Sequence, residues 1–391
     1  MSFFKAKPKI PVSLICDLSP HSIGLALIKL SPDAKPQIIF AKREYISYRH
    51  KPTGRHILSK MIPVIDGLLK DHLRPFLYSD QNIEYSLNIS CIHSLAWSFE
   101  RAKKVVLHSP NPIEVTSKLI DSIMAKEVEQ KNIEVKKEGN IDGLICTNRR
   151  FSHVMLNGYE VLNPWGQTAI EVSTFIMQSL VDKRMIDFSN SYLANLSSEG
   201  VHHITEAEAI FSGLRKIYPE SNTSVIVFAG GETTDLFKVE NGNIIESISF
   251  PHGIATLVRA ISEANHKDDA VAFSHLNQIL AKVRIPTKKE SVQIAESIDL
   301  LNKHFQKSLF ELGFNHIPPK QVFMLSALHH FDLAKHIYSP KTFIYEGESE
   351  TKIFYPLEHS DFDKKALYAD GVSHDPLLCL ESFCLAEYQP K

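Results

Sequence analysis

Gly230-Gly231-Glu232-Thr233-Thr234-Asp235 is the stretch on which the fold reading turns. It is a polar turn between two apolar runs, Thr223–Ala229 and Leu236–Val239. A second turn, Glu240-Asn241-Gly242-Asn243, leads into a third run, Ile244–Phe250. Runs of this length divided by short polar turns fit antiparallel hairpins. The same pattern opens the chain. Pro11–Asp17 is an apolar run, Leu18-Ser19-Pro20-His21-Ser22 a polar turn, Ile23–Leu30 a second run and Gln37–Glu44 a third. The two sets lie about 211 residues apart, and internal repetition of this kind points to a duplicated architecture.

Working outward, His56–Leu73 carries apolar residues at helical spacing, with Pro63 expected to kink it. Ile92–Val106 reads as a strand and Ile113–Glu129 as an amphipathic helix. Ile141–Thr147 and Phe151–Leu156 read as two strands, and Ile170–Val181 as another. Helices are expected at about 254–264, at Ala270–Val283 and at Glu290–Leu312. Gln321–Ala327 is a late strand and His374–Leu385 a closing helix packed on the core.

Composition bounds the function. The 391 residues carry 43 Lys+Arg against 45 Asp+Glu, a formal charge of −2 that argues against a nucleic-acid binder. Apolar residues at 43% are ordinary for a globular protein, and the length fits two or three domains. The five cysteines, at 16, 91, 146, 379 and 384, form no C-x-x-C pair and read as reduced thiols. His202-His203 and His329-His330 tempt a metal reading, but neighbouring histidines on a strand face opposite ways and no acidic or Cys partner stands at ligand spacing. No apolar stretch reaches the ~18 residues needed to cross a bilayer, so a soluble, cytoplasmic chain is expected.

These turns, in this order, resemble the actin-like superfamily, and within it the FtsA and PilM group of division tethers and type IV pilus assembly components. Asp17–Ile23 is similar to the first phosphate loop of that superfamily, and Gly230–Asp235 to the second. Ile204–Leu214, with Glu206 and Glu208, resembles the connecting helix. Asn157-Gly158-Tyr159-Glu160-Val161 with Asn163-Pro164-Trp165-Gly166 resembles the inserted subdomain called 1C. The resemblance implies an α/β, actin-like (ribonuclease H-like) duplicated fold with a 1C-type insertion. It divides the chain into 1–91, an insertion at 92–182, a return at 183–217, and a second domain at 218–391 with a helical subdomain at about 254–315.

The resemblance also implies a nucleotide site of Asp17, Ser19, Ser22, Gly230, Gly231, Thr233, Thr234 and Asp235, for ATP with Mg²⁺ held on Asp17 through water. Turns like these present backbone N–H groups to an anion. The sequence departs from the pattern at three places. Phe228 stands where an acidic residue organises the metal, Glu232 replaces a loop glycine, and Ser326-Ala327-Leu328-His329-His330 stands where a glycine run holds the adenosine. The expectation is therefore a degenerate site, weak or absent ATP binding and no catalytic residue. The function implied is a PilM-like cytoplasmic scaffold, peripheral at the inner face of the membrane, that recruits a cytoplasmic peptide of an inner-membrane protein and is open to self-association. The alternative is an FtsA-like, ATP-binding, polymerising tether of the division ring. Leu377–Leu385 lacks the basic polar face of an interfacial tail, which favours the first.

Overall fold

The computed structural model describes residues 9–30, 35–46, 48, 54–79, 83–123, 125–126, 143–197, 199–314, 319, 321–326, 354–356, 361–362 and 365–387. The adenosine-loop residues after Ser326, together with His329, His330 and the polar stretch Gln130–Gly139, lie outside the described residues.

Two sheets repeat one topology. In the first, β1 (Lys9–Ser19), β2 (Ser22–Lys29) and β3 (Gln37–Tyr45) form an antiparallel meander. β4 (Glu84–His93) then pairs parallel to β1, β9 (Val201–Thr205) parallel to β4, and β15 (Leu367–Tyr368) caps the β3 edge. In the second sheet, β10 (Ser224–Ala229), β11 (Thr234–Glu240) and β12 (Asn243–Phe250) form the meander. β13 (Val322–Ser326) pairs parallel to β10 and β14 (Phe354–Pro356) parallel to β13. The orders β3-β2-β1-β4-β9 and β12-β11-β10-β13-β14 correspond strand for strand.

The central strands are buried along most of their length because both of their faces are covered. All six residues of β10, Ser-Val-Ile-Val-Phe-Ala, are buried. Between the sheets lie the helices Glu206–Ile217 and Pro376–Ser382, in one core with Ile15, Ile28, Ile226 and Phe228. Gly213 permits their close approach, since a Cβ there would meet the Leu380 carbonyl oxygen at 2.5 Å. Outside the second sheet lie Ile254–Asn265, Asp269–Leu280 and Lys288–Glu311, the last opened by a capping box of Thr287 and Glu290. Outside the first sheet lie Gly54–Gly67 and Lys183–Leu193.

A third sheet, in the order β5-β8-β6-β7, is built from β5 (Ser98–Glu114), β6 (Leu144–Leu156), β7 (Tyr159–Glu160) and β8 (Thr168–Asp182). Its ends meet: Ser98 and Val181 are register partners, and Asp182 N–H donates to the Trp97 carbonyl at 2.9 Å. Asn157-Gly158 and Asn241-Gly242 both adopt positive φ, as two-residue hairpin turns require.

Several sequence expectations need correction. Ile92–Val106 is two strands in two different sheets, broken by a turn in which Trp97 N–H donates to the Ser94 carbonyl. Apolar Leu95 and Trp97 continue the hydrophobic pattern through that turn because each enters a separate core, which hides the break. The helix expected from Ile113 begins at 117, because β5 runs on to Glu114 and the Thr116 hydroxyl accepts the Leu119 N–H as a cap. The two strands expected at Ile141–Leu156 are one strand, irregular at Cys146/Asn148 and Ser152/Met155. The first helix runs through Pro63, and its departure from α geometry is a π-helical turn at Leu68–Leu73.

Candidate functional site: a cleft filled by its own side chains

The two repeat turns face each other. His21, in the β1–β2 turn, places Nε2 3.2 Å from Glu232 Oε1 in the β10–β11 turn. Its ring lies against Gly231, where a Cβ would fall 2.0 Å from His21 Cδ2, so only glycine fits there. Glu232 also takes a bidentate pair from Arg259, at 2.8 and 2.9 Å. The carboxylate that stands in the glycine position is thus held by the His21 ring and the Arg259 guanidinium, one from each side of the cleft. Burial alone would raise its pKa, but His21 and Arg259 bring it down to about 2.

The first loop is occupied from within. Asp17 is fully buried and accepts from Arg43 Nη1 at 2.6 Å. The same Nη1 reaches Ser22 Oγ at 2.9 Å, and Arg43 Nε reaches Asp375 Oδ2 at 2.6 Å. Asp375 in turn caps the helix Pro376–Ser382 by accepting from Leu378 N–H. The cause is a cross-strand row. Asp17, Gly24 and Arg43 are successive register partners on β1, β2 and β3. Gly24 leaves the space that the guanidinium crosses, since a Cβ there would meet Arg43 Nη2 at 2.9 Å. Burial would lower the Arg43 pKa, yet Asp375 and Asp17 hold it raised and the group stays charged. Burial raises Asp17, with Arg43 opposing.

The remaining residues expected at the site lie around these two locks. Ser19 is buried at the end of β1. Thr233 Oγ1 donates to Asp235 Oδ2 at 3.1 Å, Ser249 donates to Asp235 Oδ1, and Thr234 Oγ1 donates to the His252 carbonyl at 2.8 Å. Gly230 and Gly231 turn their carbonyls toward the helix Ile254–Asn265, accepting from Ile254 and Ala255 N–H at 3.0 and 2.9 Å. Those helix-terminal N–H groups, the ones an anion would use, are spent on the protein's own loop. Phe228 is buried in the core between the sheets, a burial that contributes roughly 1.5–3 kcal/mol.

The electrostatics follow. Asp17, Glu206, Asp235 and Glu381 are all buried here, and burial raises each of their pKa values. Arg43 and Arg259 are both committed to carboxylates. A polyphosphate would meet buried acids and no uncommitted cation among these residues. The cavity beside the turns, about 210 Å³, is lined by His21, Tyr45, Tyr48, Gly231, Val258 and Phe273 among others. That is below the roughly 300–1,000 Å³ of usual ligand pockets.

Sequence reading missed Arg43, Arg259 and Asp375. Gly24, a lone glycine inside an apolar strand, was the available signal for a side chain crossing β2. Glu206 and Glu208, two residues apart on one helix, divide their roles. Glu206 faces the cleft and accepts from Leu95 N–H, whereas Glu208 binds Arg150, Asn148 and Ser179 of the third sheet.

No protein-family model matches the chain, and no curated protein matches it in sequence. A solved PilM-PilN type IV pilus biogenesis complex matches it with TM-score 0.61 at 12% identity, over 97% of this chain and 99% of that one. The fold is actin-like. EutJ, an ethanolamine utilization protein from Carboxydothermus hydrogenoformans, is similar at TM-score 0.46, 10% identity and coverage of 98% and 92%. A Bacteroides thetaiotaomicron protein with an actin-like ATPase fold gives 0.42 at 10%, over 98% and 99%. In this actin-like chain the helix Pro376–Ser382 and Phe383–Leu385 are buried between the two sheets. Among the described residues no helix is long and apolar enough to cross a membrane.

Proposed function

We propose that this actin-like chain is a PilM-like scaffold of type IV pilus assembly that docks an extended cytoplasmic peptide of a membrane protein and does not depend on nucleotide. One observation carries the reading: both phosphate-loop positions are taken by internal contacts, Arg43 ion-paired with Asp17 and Asp375, and Glu232 hydrogen-bonded to His21 and ion-paired with Arg259. Opening them for ATP means breaking the part-buried contacts of Glu232 and the buried Arg43–Asp17 pair, the latter at a cost of about 3–5 kcal/mol for a partner left uncompensated. The fold shared with the PilM-PilN complex over nearly all of both chains supports the partner class.

The third sheet is where such a peptide fits. β5 is an outer strand, hydrogen-bonded within a sheet only to β8 among the described strands, and an unpaired edge is a template for strand addition. Val106 stands exposed on β5, with Ile170 and Trp165 exposed nearby in the same unit, as apolar anchors. At its base β5 touches the second domain, where Ser247 Oγ donates to the Glu100 carbonyl at 2.8 Å. The FtsA-like alternative has no such support: the segment that would serve as its tail is buried in the core.

The test uses the Trp97–Asp182 junction. Joining it by a short Gly/Ser linker in place of the third sheet should abolish recruitment to membranes in fractionated cells, while thermal unfolding of the rest stays cooperative. Wild-type recruitment should persist in nucleotide-depleted extracts. Recruitment that survives the deletion, or that requires ATP, overturns the reading.

A further inference from the structure

Cys16, Cys91 and His203 form a row across the first sheet. Cys16 and Cys91 are register partners on β1 and β4, and Cys91 and His203 are partners on β4 and β9. In-register neighbours on parallel strands project to the same face. His93, two residues beyond Cys91 on that strand, shares the face. The sequence separates Cys16, the Cys91-Ile92-His93 pair and His203 widely, so ligand spacing along the chain gave no sign of the whole cluster; the sheet assembles it.

The contacts are close. Cys91, His93 and His203 each bring a ligand atom to within 4.8 Å of the others. His93 Nε2 lies 3.0 Å from His203 Nδ1, and Cys91 interacts with Cys16 as well as with both rings. Around a tetrahedral zinc, with bonds of about 2.0 Å to nitrogen and 2.3 Å to sulfur, ligand atoms stand about 3.3–3.8 Å apart. A second observation points the same way. His93 is fully buried, and its Nδ1 has no hydrogen-bond partner. A buried imidazole nitrogen left unsatisfied costs free energy unless something coordinates or bonds it.

We propose that Cys91, His93 and His203, completed by Cys16, form a binding site for a borderline-soft divalent cation of the zinc class. Two thiolates and two imidazoles are the donor set that zinc takes in closed, four-coordinate sites, and they disfavour Mg²⁺ or Ca²⁺, which prefer oxygen. His203 is half-buried on β9, the edge strand of its sheet, which gives the ion a route in. An ion there would tie β1, β4 and β9 together on the sheet face opposite Asp17. The site is independent of the peptide-docking reading.

The experiment uses the full chain, reduced and stripped of metal with a chelator, then titrated with Co²⁺. One equivalent should produce a thiolate-to-cobalt charge-transfer band and the d–d bands of tetrahedral cobalt, and Zn²⁺ should displace it. Cys91→Ser and His203→Ala should each weaken Zn²⁺ binding about a hundredfold or more in a competition with a chelating dye. His202→Ala, which alters the exposed neighbour on the opposite face, should leave binding unchanged. Zn²⁺ should raise the melting temperature of the wild type and not of Cys91→Ser, whose circular dichroism verifies its fold. Absence of the charge-transfer band, unchanged binding in Cys91→Ser, or a thiol count showing a Cys16–Cys91 disulfide in the isolated protein would overturn the site.

Discussion

Arg43→Ala removes the shared donor of the buried Asp17 and the half-buried Asp375. Asp17 and Asp375 would then face each other's charge without compensation, and Ser22 would lose its partner. Breaking a buried pair by deleting one side costs about 3–5 kcal/mol, and that loss is expected in urea unfolding. Arg43→Lys should restore little, because one ammonium cannot span both carboxylates as the guanidinium fork does. At this scale the sequence was least informative. Asp17, Ser22 and the second loop stood out by their order along the chain, but Arg43 acquires its role only through register, three strands deep. Asp375 acquires its own from a helix that returns to the first domain after most of the chain has passed.

The helix Ile254–Asn265 meets the second loop through Gly253, where a Cβ would lie 2.5 Å from the carbonyl oxygens of both Gly230 and Gly231. The backbone there is extended, so the constraint is space alone. Gly253→Ala should push the helix off the loop, break the Ile254 and Ala255 hydrogen bonds and destabilise the protein by roughly 1–3 kcal/mol, read as a fall in melting temperature. Most elements were legible because their periodicities were clean: the two meanders with their Asn-Gly and polar turns, and the long helices of the second domain. The failures share a cause. At Leu95–Trp97 apolar residues run through a turn, and at Ile113 through a strand end, so a pattern of hydrophobicity carries no mark of the boundary. The short edge strands β14 and β15 are held by pairing with neighbours and have no period of their own to read.

Across the whole molecule, buried acids set the response to pH. Burial raises Asp235 to about 7, against the hydrogen bonds of Ser249 and Thr233. Burial and the neighbouring Glu208 raise Glu100 to about 8. A carboxyl whose folded pKa exceeds its unfolded value stabilises fully below the unfolded value, and that contribution is lost as pH rises through the folded one. Glu232, brought down to about 2, works oppositely: its contribution is present above about 4.5 and is lost as pH falls toward 2. Stability should therefore peak in mildly acid solution and decline as pH rises from about 4.5 to 8. Asp235→Asn should flatten the decline up to about pH 7 and Glu100→Gln the part up to about 8, measured as urea midpoints across that range. A profile flat from pH 5 to 8 would contradict the raised pKa values of both groups. The duplicated sheets were the most legible feature at this scale, since the same strand order arose twice from the same order of runs and turns.

The hydrogen bond between Asp182 N–H and the Trp97 carbonyl bears on how the chain finds its fold. β4 and β9 must pair across more than a hundred residues of sequence, a separation that would slow their encounter. Once β5 and β8 zip together, the stretch between Trp97 and Asp182 no longer counts as slack: its two ends are adjacent, and the loop left to close spans only the helix Lys183–Leu193 and its flanks. Because closure entropy grows with the logarithm of the length that remains free, the inserted sheet acts as a kinetic shortcut for the domain that hosts it. In pulse-labelled refolding the amides of β8 would gain protection no later than those of β9, and the insertion could lengthen at its far end with little effect on the rate at which the first sheet is completed.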